Sequence, residues 1–398
     1  MSCALLRLFG LGLLAVALAS SAQTVPSRES LRQKALALEQ QGRNADAETA
    51  WRAIIKAHPG DPEPYAQIGL IEARQQHYKQ AVSLYRKAIA INPNVPGLRL
   101  NLGLALFKDG QLKDSIPEFQ AVLKSTPPNS PDEQRLTILI GMAYYGLAEY
   151  GKAAPFLKQA VDRDSSNLPL LLALAHSYLW TKQFQGVLDT YHQILVLNPD
   201  SAEADMLAGE ALDEMKDNEG STKMFRAAVK ANPKEPNVHF GLGYLLWTQR
   251  KYPEAASEFQ AELANDPNHV QSLLYLGDTE IQMNHQADAI PYLQKAESLD
   301  PSVPLTHLDL GIIASDANQN DEALRELTLA EKQMPDDVNV HWRLARLYRT
   351  MGKKDEAKAE FDKASSITKT KDEDLYKKIA AGAQRPPQQP APPPPADK

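Results

Sequence analysis

The chain has 398 residues, 43% of them apolar and 23% charged, with a formal net charge of −7. That apolar share can bury a long core, and the acidic balance excludes a chain-wide electrostatic footprint for neutralising nucleic-acid phosphates. The sole cysteine, Cys3, lies in a segment expected to be removed, which leaves no thiol for a disulfide, a thiolate nucleophile or a cysteine-ligated zinc.

Residues 1–22 have the layout of an export signal. Arg7 supplies positive charge, Leu8 to Ala19 is an apolar run, and Ser20-Ser21-Ala22 offers small side chains for cleavage between Ala22 and Gln23. A retained membrane anchor is the competing reading, but the run falls short of the ~18–20 apolar residues that span a bilayer. Cys3 stands ahead of the apolar run, which is not the placement of a lipoprotein signal. No later stretch is long and apolar enough to cross a membrane. The chain is therefore expected to be exported, periplasmic or secreted, with no membrane span in its mature form.

From about Arg28 to Lys371 one interval governs the sequence. Pro59, Pro93 and Pro127 are 34 residues apart, and so are Pro199, Pro233, Pro267, Pro301 and Pro335. Between Pro127 and Pro199 lie two such periods plus four residues, an insertion placed near 128–131, with Ser165 in the proline place of the intervening unit. Ten units fit this register. Each reads as two helices. Gly42, Gly110, Asn284, Asn318 and Gly352 stand where the first helix should end, because they tolerate the left-handed conformation that closes it. Asn92-Pro93, Asn198-Pro199 and Asp266-Pro267 stop the second helix, since proline lacks an amide donor and disfavours helix before it.

Three columns give the period its packing logic. The eighth position reads Ala35, Gly69, Gly103, Gly141, Ala175, Gly209, Gly243, Gly277, Gly311, Ala345. The twentieth is mostly alanine, from Ala47 and Ala81 to Ala323 and Ala357, and the twenty-fourth is bulky, from Trp51, Tyr85 and Phe119 to Leu327 and Phe361. Small residues let two helices approach and the large one fills the adjoining space. A 34-residue period with these columns resembles the tetratricopeptide repeat, here as an exported, bacterial-type member. The resemblance implies an all-α, right-handed superhelical solenoid of about ten helix-turn-helix repeats over residues 28–371. After the last unit, where Lys369 replaces proline, a polar capping helix is expected at 372–384. A proline-rich, unfolded tail is expected at 385–398.

The chain has no HExxH, GxxxxGK[ST], GxSxG or cysteine pair. Gly241-Leu242-Gly243 contains a GxG, but inside a predicted helix and without the third glycine, so it reads as close packing. His239, His307 and His341 share the fourth position of their units. That is a packing column elsewhere (Leu31, Tyr65, Leu171, Leu273), and helix pairs ~10 Å apart hold two such imidazoles too far apart to share a zinc. Asp336-Asp337 falls at a helix start, where acids cap. No cofactor and no metal site is expected.

In tetratricopeptide repeats the inner surface is set by positions two, five, nine, twelve and thirteen, so the resemblance implies a groove lined by those columns. Positions five, nine and twelve form one helical stripe. In chain order the stripe offers Leu100, Leu104 and Phe107, then Ile138, Met142 and Tyr145, then Leu172, His176 and Leu179 beside Trp180. It turns acidic at Met206, Glu210, Asp213 and Glu214, aromatic at Phe240, Tyr244 and Trp247, and basic at Trp342, Arg343, Arg346 and Arg349. The leucines read equally well as packing between helices. Exposed aromatics and arginines are the types that dominate binding energy. A carboxylate clamp of lysines and asparagines is lacking, for Asn101 stands alone among Gly97, Leu100 and Leu104. The expected function is a non-catalytic scaffold that takes a protein or peptide segment in its concave groove, as a monomer or in a hetero-complex, and binds no nucleic acid. An accessory subunit of an envelope export or polysaccharide-assembly machine is the alternative. A glycan-modifying enzyme is a third reading, with no room left for its catalytic domain.

Overall fold

The computed structural model describes residues 27–383. The signal-type segment 1–22 and the tail 385–398 lie outside the described residues. Among those described there are twenty α-helices and no strand, the all-α architecture expected. They come as ten pairs. The first five are α1 (Arg28–Gln40) with α2 (Asn44–Ala57), α3 (Pro62–Arg74) with α4 (Tyr78–Ile91), α5 (Leu98–Lys108) with α6 (Leu112–Leu123), α7 (Pro131–Gly146) with α8 (Tyr150–Arg163), and α9 (Leu168–Trp180) with α10 (Phe184–Leu197). The last five are α11 (Ala202–Glu214) with α12 (Asn218–Ala231), α13 (Val238–Thr248) with α14 (Tyr252–Asn265), α15 (Val270–Gln282) with α16 (Gln286–Leu299), α17 (Pro304–Asp316) with α18 (Asn320–Gln333), and α19 (Val338–Thr350) with α20 (Lys354–Ala383).

The turn inside each pair is the same in all ten. Position fifteen has positive φ in every unit, at Gly42, Gly110, Gly352, Asn284 and Asn318, but also at Gln76, Ala148, Lys182, Lys216 and Arg250. Two backbone bonds close it. At Arg250 these are Arg250 N–H to the Trp247 carbonyl at 2.8 Å and Lys251 N–H to the Leu246 carbonyl at 2.9 Å, the pairing that satisfies the last carbonyls of a helix. Between pairs, Asn92, Asn198, Asn232, Asp266 and Asp300 are extended as the prolines demand. Asp61, Asn167, Ser201 and Asp337 cap the following helices with their side chains.

The small and bulky columns meet as expected. Trp51, Tyr85, Phe119, Leu157, Phe225, Phe259, Leu293 and Leu327 are buried, while Tyr191 and Phe361 are half-buried. A methyl group added at Gly243 would lie 2.8 Å from Phe259 Cε1, and one added at Gly69 would lie 2.7 Å from Tyr85 Cε1. Close approach of backbone to ring, not flexibility, demands glycine there.

The chain divides into two compact units at Phe156/Leu157, inside α8. In the first, Phe119, Leu136 and Ile140 form a core in the α5–α7 region, and Ala81, Tyr85, Leu98, Leu102 and Leu106 form one around α4 and α5. In the second, each first helix touches the next: α9–α11, α11–α13, α13–α15, α15–α17, α17–α19. Successive second helices make no comparable contact. Within this unit the first helices are therefore the inner layer, and the wall they present is concave.

Two details differ from the sequence reading. Residues 372–384 are not a separate capping helix, because α20 runs unbroken from Lys354 to Ala383. With Lys369 in the proline place and no glycine or proline from Lys353 to Ala381, nothing stops it. The inserted residues near 128–131 are shared between a loop and an early start of α7 at Pro131, which makes that helix 16 residues long. Among the described residues no helix is long and apolar enough to cross a membrane.

Candidate functional site

The concave wall of the second unit holds a groove of about 830 Å³, lined from α9, α11, α13 and the start of α15. Its floor depends on how α13 begins. One proline beyond the periodic Pro233, Pro236, precedes Asn237, which lies in the left-handed region (φ 66°), and α13 starts late, at Val238. Three backbone N–H groups, of Asn237, His239 and Phe240, then point at one buried carboxylate, Glu262 of α14, each at 3.1 Å. A carboxylate accepting several N–H groups at a helix start is favoured by the bonds and by the helix dipole. His269 Nε2 lies 2.9 Å from Asn237 Oδ1 and ties in α15.

This anchoring sets Phe240 at the centre of an aromatic cluster. Its ring centroid lies 5.2 Å from His269, 5.9 Å from Tyr275, 6.0 Å from Phe259 and 6.1 Å from Tyr244. Tyr244 stacks near Trp247 at 6.0 Å and meets Tyr275 edge-on at 5.2 Å. Burial, with Tyr244 and Asp278 nearby, pushes the Tyr275 phenol up to about 12. Trp247 Nε1–H donates to Asp278 at 2.6 Å. Burial raises the Asp278 carboxyl, against the opposing bonds from Trp247 and Gln282.

The opposite bank is acidic. Glu203, Glu210, Asp213 and Glu214 of α11 line the groove with Glu235, and Lys182 is the one lysine or arginine among its lining residues. Burial raises the Glu210 carboxyl, and burial together with the Glu235 charge raises that of Glu203. Trp180, 63% exposed, and Tyr244, 39% exposed, stand at the rim. His176 lies 6.3 Å from Trp180, and burial lowers its pKa.

Away from the groove, the fourth-position histidines each meet a carboxylate from the second helix of their own pair. His239 Nδ1 is 2.6 Å from Glu258, His307 Nδ1 2.8 Å from Glu326, and His341 Nδ1 2.6 Å from Glu360. Nε2 of His341 faces the Pro335 carbonyl at 2.8 Å. Two acceptors on one ring favour its doubly protonated form, and the His341 pKa is raised accordingly. Glu297, His307 and Glu326, and again Glu331, His341 and Glu360, bring donor atoms within 4.8 Å of one another, as metal ligands would be. In the second group Lys363 Nζ already bridges both carboxylates at 2.8 Å and supplies the positive charge.

Sequence models described as tetratricopeptide repeat match residues 98–167, 209–270 and 240–304, and another matches 145–211 and 314–381. A third, described as TPR repeat, matches 69–110. Together they span 69–304 and 314–381. The chain belongs to the tetratricopeptide repeat family.

This tetratricopeptide repeat chain is 21% identical over 293 residues to anaphase-promoting complex subunit 3 of Schizosaccharomyces pombe, covering 74% of this chain and 44% of that protein. It is 22% identical over 301 residues to the CTR9 homolog of Arabidopsis thaliana, covering 73% of this chain and 28% of that one. The chain thus spans less than half the length of these relatives. Among solved structures it is similar to YrrB, described as a TPR protein with an unusual peptide-binding site (TM-score 0.39, 19% identity, 44% of this chain and 91% of that one). It is also similar to yeast Tom70 (TM-score 0.39, 16% identity, 89% and 95%).

Of the stripe expected to face the repeat groove, His176, Trp180, Phe240 and Tyr244 line this groove together, with Trp247 at its flank. Trp342, Arg343, Arg346 and Arg349 lie on α19 and are not part of its lining. There Trp342 is 47% exposed with Phe361 edge-on at 4.9 Å. Arg343 opposes the burial and the Asp278 charge that push the Asp309 carboxyl well above its usual range. In the first unit Leu100, Leu104 and Phe107 are half-buried against Phe119, Leu136 and Ile140. Ile138, Met142 and Tyr145 are half-buried too, with Tyr145 5.8 Å from Tyr150. Tyr275, His269, Glu203 and Glu262 were missed. Glu203 occupies position two, a groove column. Tyr275 occupies position six, outside the stripe, and Glu262 belongs to a second helix.

Proposed function

We propose that this chain is a non-catalytic, exported scaffold that holds a segment of a partner protein in the concave groove of residues 168–282. The observation that carries the reading is the groove itself. Two large aromatic side chains, Trp180 and Tyr244, stay substantially exposed on a wall whose floor is pinned by Glu262. Exposed aromatics over a rigid floor bind at little cost in conformational entropy. The similarity to a complex subunit supports a binding role, and the layout of Arg7, Leu8 to Ala19 and Ala22 supports export.

The test uses Trp180→Ala and Tyr244→Ala, the exposed pair, because Phe240 and Trp247 sit deeper in the cluster, half-buried. With circular dichroism unchanged, affinity purification of the double variant should lose the partner that the wild type retains. Undiminished recovery ends the groove reading. For export, the purified mature protein should begin at Gln23, and a mature protein that retains Met1 refutes it.

A further inference from the structure

The groove's charge says more about its occupant than its aromatics do. Four acids of one helix, α11, project into it: Glu203, Glu210, Asp213 and Glu214, at spacings that place them along a single face. Glu235 adds a fifth carboxylate, and Lys182 alone among the lining lysines and arginines opposes them. Among the described residues none of the four α11 acids is in an ion pair. Several buried carboxylates elsewhere in the unit have partners, Glu326 in His307 and Arg325, Glu360 in His341 and Lys363, and Glu262 in three N–H groups, although Asp278 and Asp309 are in no ion pair either. The α11 bank is therefore a deficit of positive charge facing a pair of exposed aromatic rings.

We propose that the occupant is an extended partner segment in which arginine or lysine side chains alternate with apolar or aromatic ones. This rests on the groove reading above and deepens it. Guanidinium groups pair bidentately with carboxylates and stack on aromatic faces, so the acids of α11 with Trp180 and Tyr244 offer both contacts. Apolar residues fill the space over Leu179, Met206 and Phe240. The groove crosses four first helices, three steps of ~10 Å, a span that an extended segment of about nine residues covers at ~3.4 Å per residue. A divalent ion is too small for a groove of about 830 Å³. Partial burial holds the Glu203 and Glu210 carboxyls above their usual range, and an incoming cation relieves that penalty.

The test is fluorescence anisotropy on the full mature chain with a fluorescein-labelled nine-residue peptide alternating arginine with leucine and tyrosine. Two companions replace every arginine by citrulline, its neutral isostere, or by glutamate. The arginine peptide is expected to bind at least ~10-fold more tightly than the citrulline peptide, with a steep loss in salt, and the glutamate peptide not at all. The groove variant Glu210→Gln/Asp213→Asn/Glu214→Gln should weaken arginine-peptide binding about tenfold and leave citrulline-peptide binding unchanged. Asp288→Asn/Asp321→Asn/Asp355→Asn removes the same charge outside the groove lining and should change neither. Equal binding of arginine and citrulline peptides overturns the charge assignment while leaving the groove reading intact. Equal weakening by the two triple variants, or no binding of the arginine peptide, overturns it as well. The groove reading itself stands or falls separately, on partner recovery by the Trp180 and Tyr244 variants.

Discussion

Replacing Gly243 by leucine isolates the contact on which both the repeat packing and the groove floor depend. The new Cβ would sit 2.8 and 2.9 Å from Phe259 Cε1 and Cδ1 and 3.3 Å from Glu258 Cβ, with three more carbons beyond it. Phe259 is fully buried, and its ring is backed by Phe240 and Tyr275, each 6.0 Å away. It can yield only by moving the aromatic cluster. Overpacking of this kind costs ~1–3 kcal/mol, and leucine recovers at most ~1 kcal/mol through its better helix propensity. A net loss of about 1–2 kcal/mol follows from the upper part of that range. Urea unfolding followed by far-ultraviolet circular dichroism measures it, and the near-ultraviolet band of the cluster should change shape. Phe259→Ala alone should cost ~3–5 kcal/mol. In that background the leucine fills part of the cavity, so the pair should couple by about 1–3 kcal/mol. An unchanged midpoint for Gly243→Leu, or additivity within ~0.5 kcal/mol, would refute the contact and with it the register of the repeat.

Three further outcomes are expected. Glu262→Ala strips three N–H groups at the start of α13 of their acceptor; denaturant unfolding should show a loss of ~2–3 kcal/mol, with Glu262→Gln intermediate. Arg250→Gly relieves an exposed left-handed residue (φ 59°) and should raise stability by ~0.5–1 kcal/mol in thermal melts, whereas Arg250→Val should lower it. His341 titrates above its usual range: burial pulls its pKa down, but the Pro335 carbonyl and Glu360 more than offset that, and Glu331 adds to them. A raised native pKa means that the pair's contribution is complete below about pH 6.5 and is lost as pH rises through the native value. Wild type should therefore lose stability with rising pH across that window, and His341→Gln should lose less, read by the fluorescence of the adjacent Trp342.

Much of this architecture was legible in the residues. The proline spacing and the small and bulky columns located twenty helices in ten pairs, and Asp337 caps α19 as its position implied. The turn at position fifteen was legible in only half the units. Glycine and asparagine announce a left-handed residue, whereas Gln76, Ala148, Lys182, Lys216 and Arg250 adopt it because the two helices they join are already held by the core. The histidine column was visible, but its partners were not read. Glu258, Glu326 and Glu360 each follow their histidine by 19 residues, a separation that becomes contact only when the second helix folds back on the first.

The candidate site divides in the same way. Periodicity alone determined that positions five, nine and twelve share one helix face, and that this face is acidic at Glu210 and Asp213 and aromatic at Phe240 and Tyr244. It could not decide how much of that face stays open, because exposure is set by what the neighbouring helices place against it. At Leu100, Leu104 and Phe107 the core of Phe119, Leu136 and Ile140 packs against the stripe. Trp180 and Tyr244, by contrast, stay 63% and 39% exposed. A helix carries its own period in its sequence. The curvature and the side chains that open or fill the wall belong to pairs of repeats, and they come into being only in the folded stack.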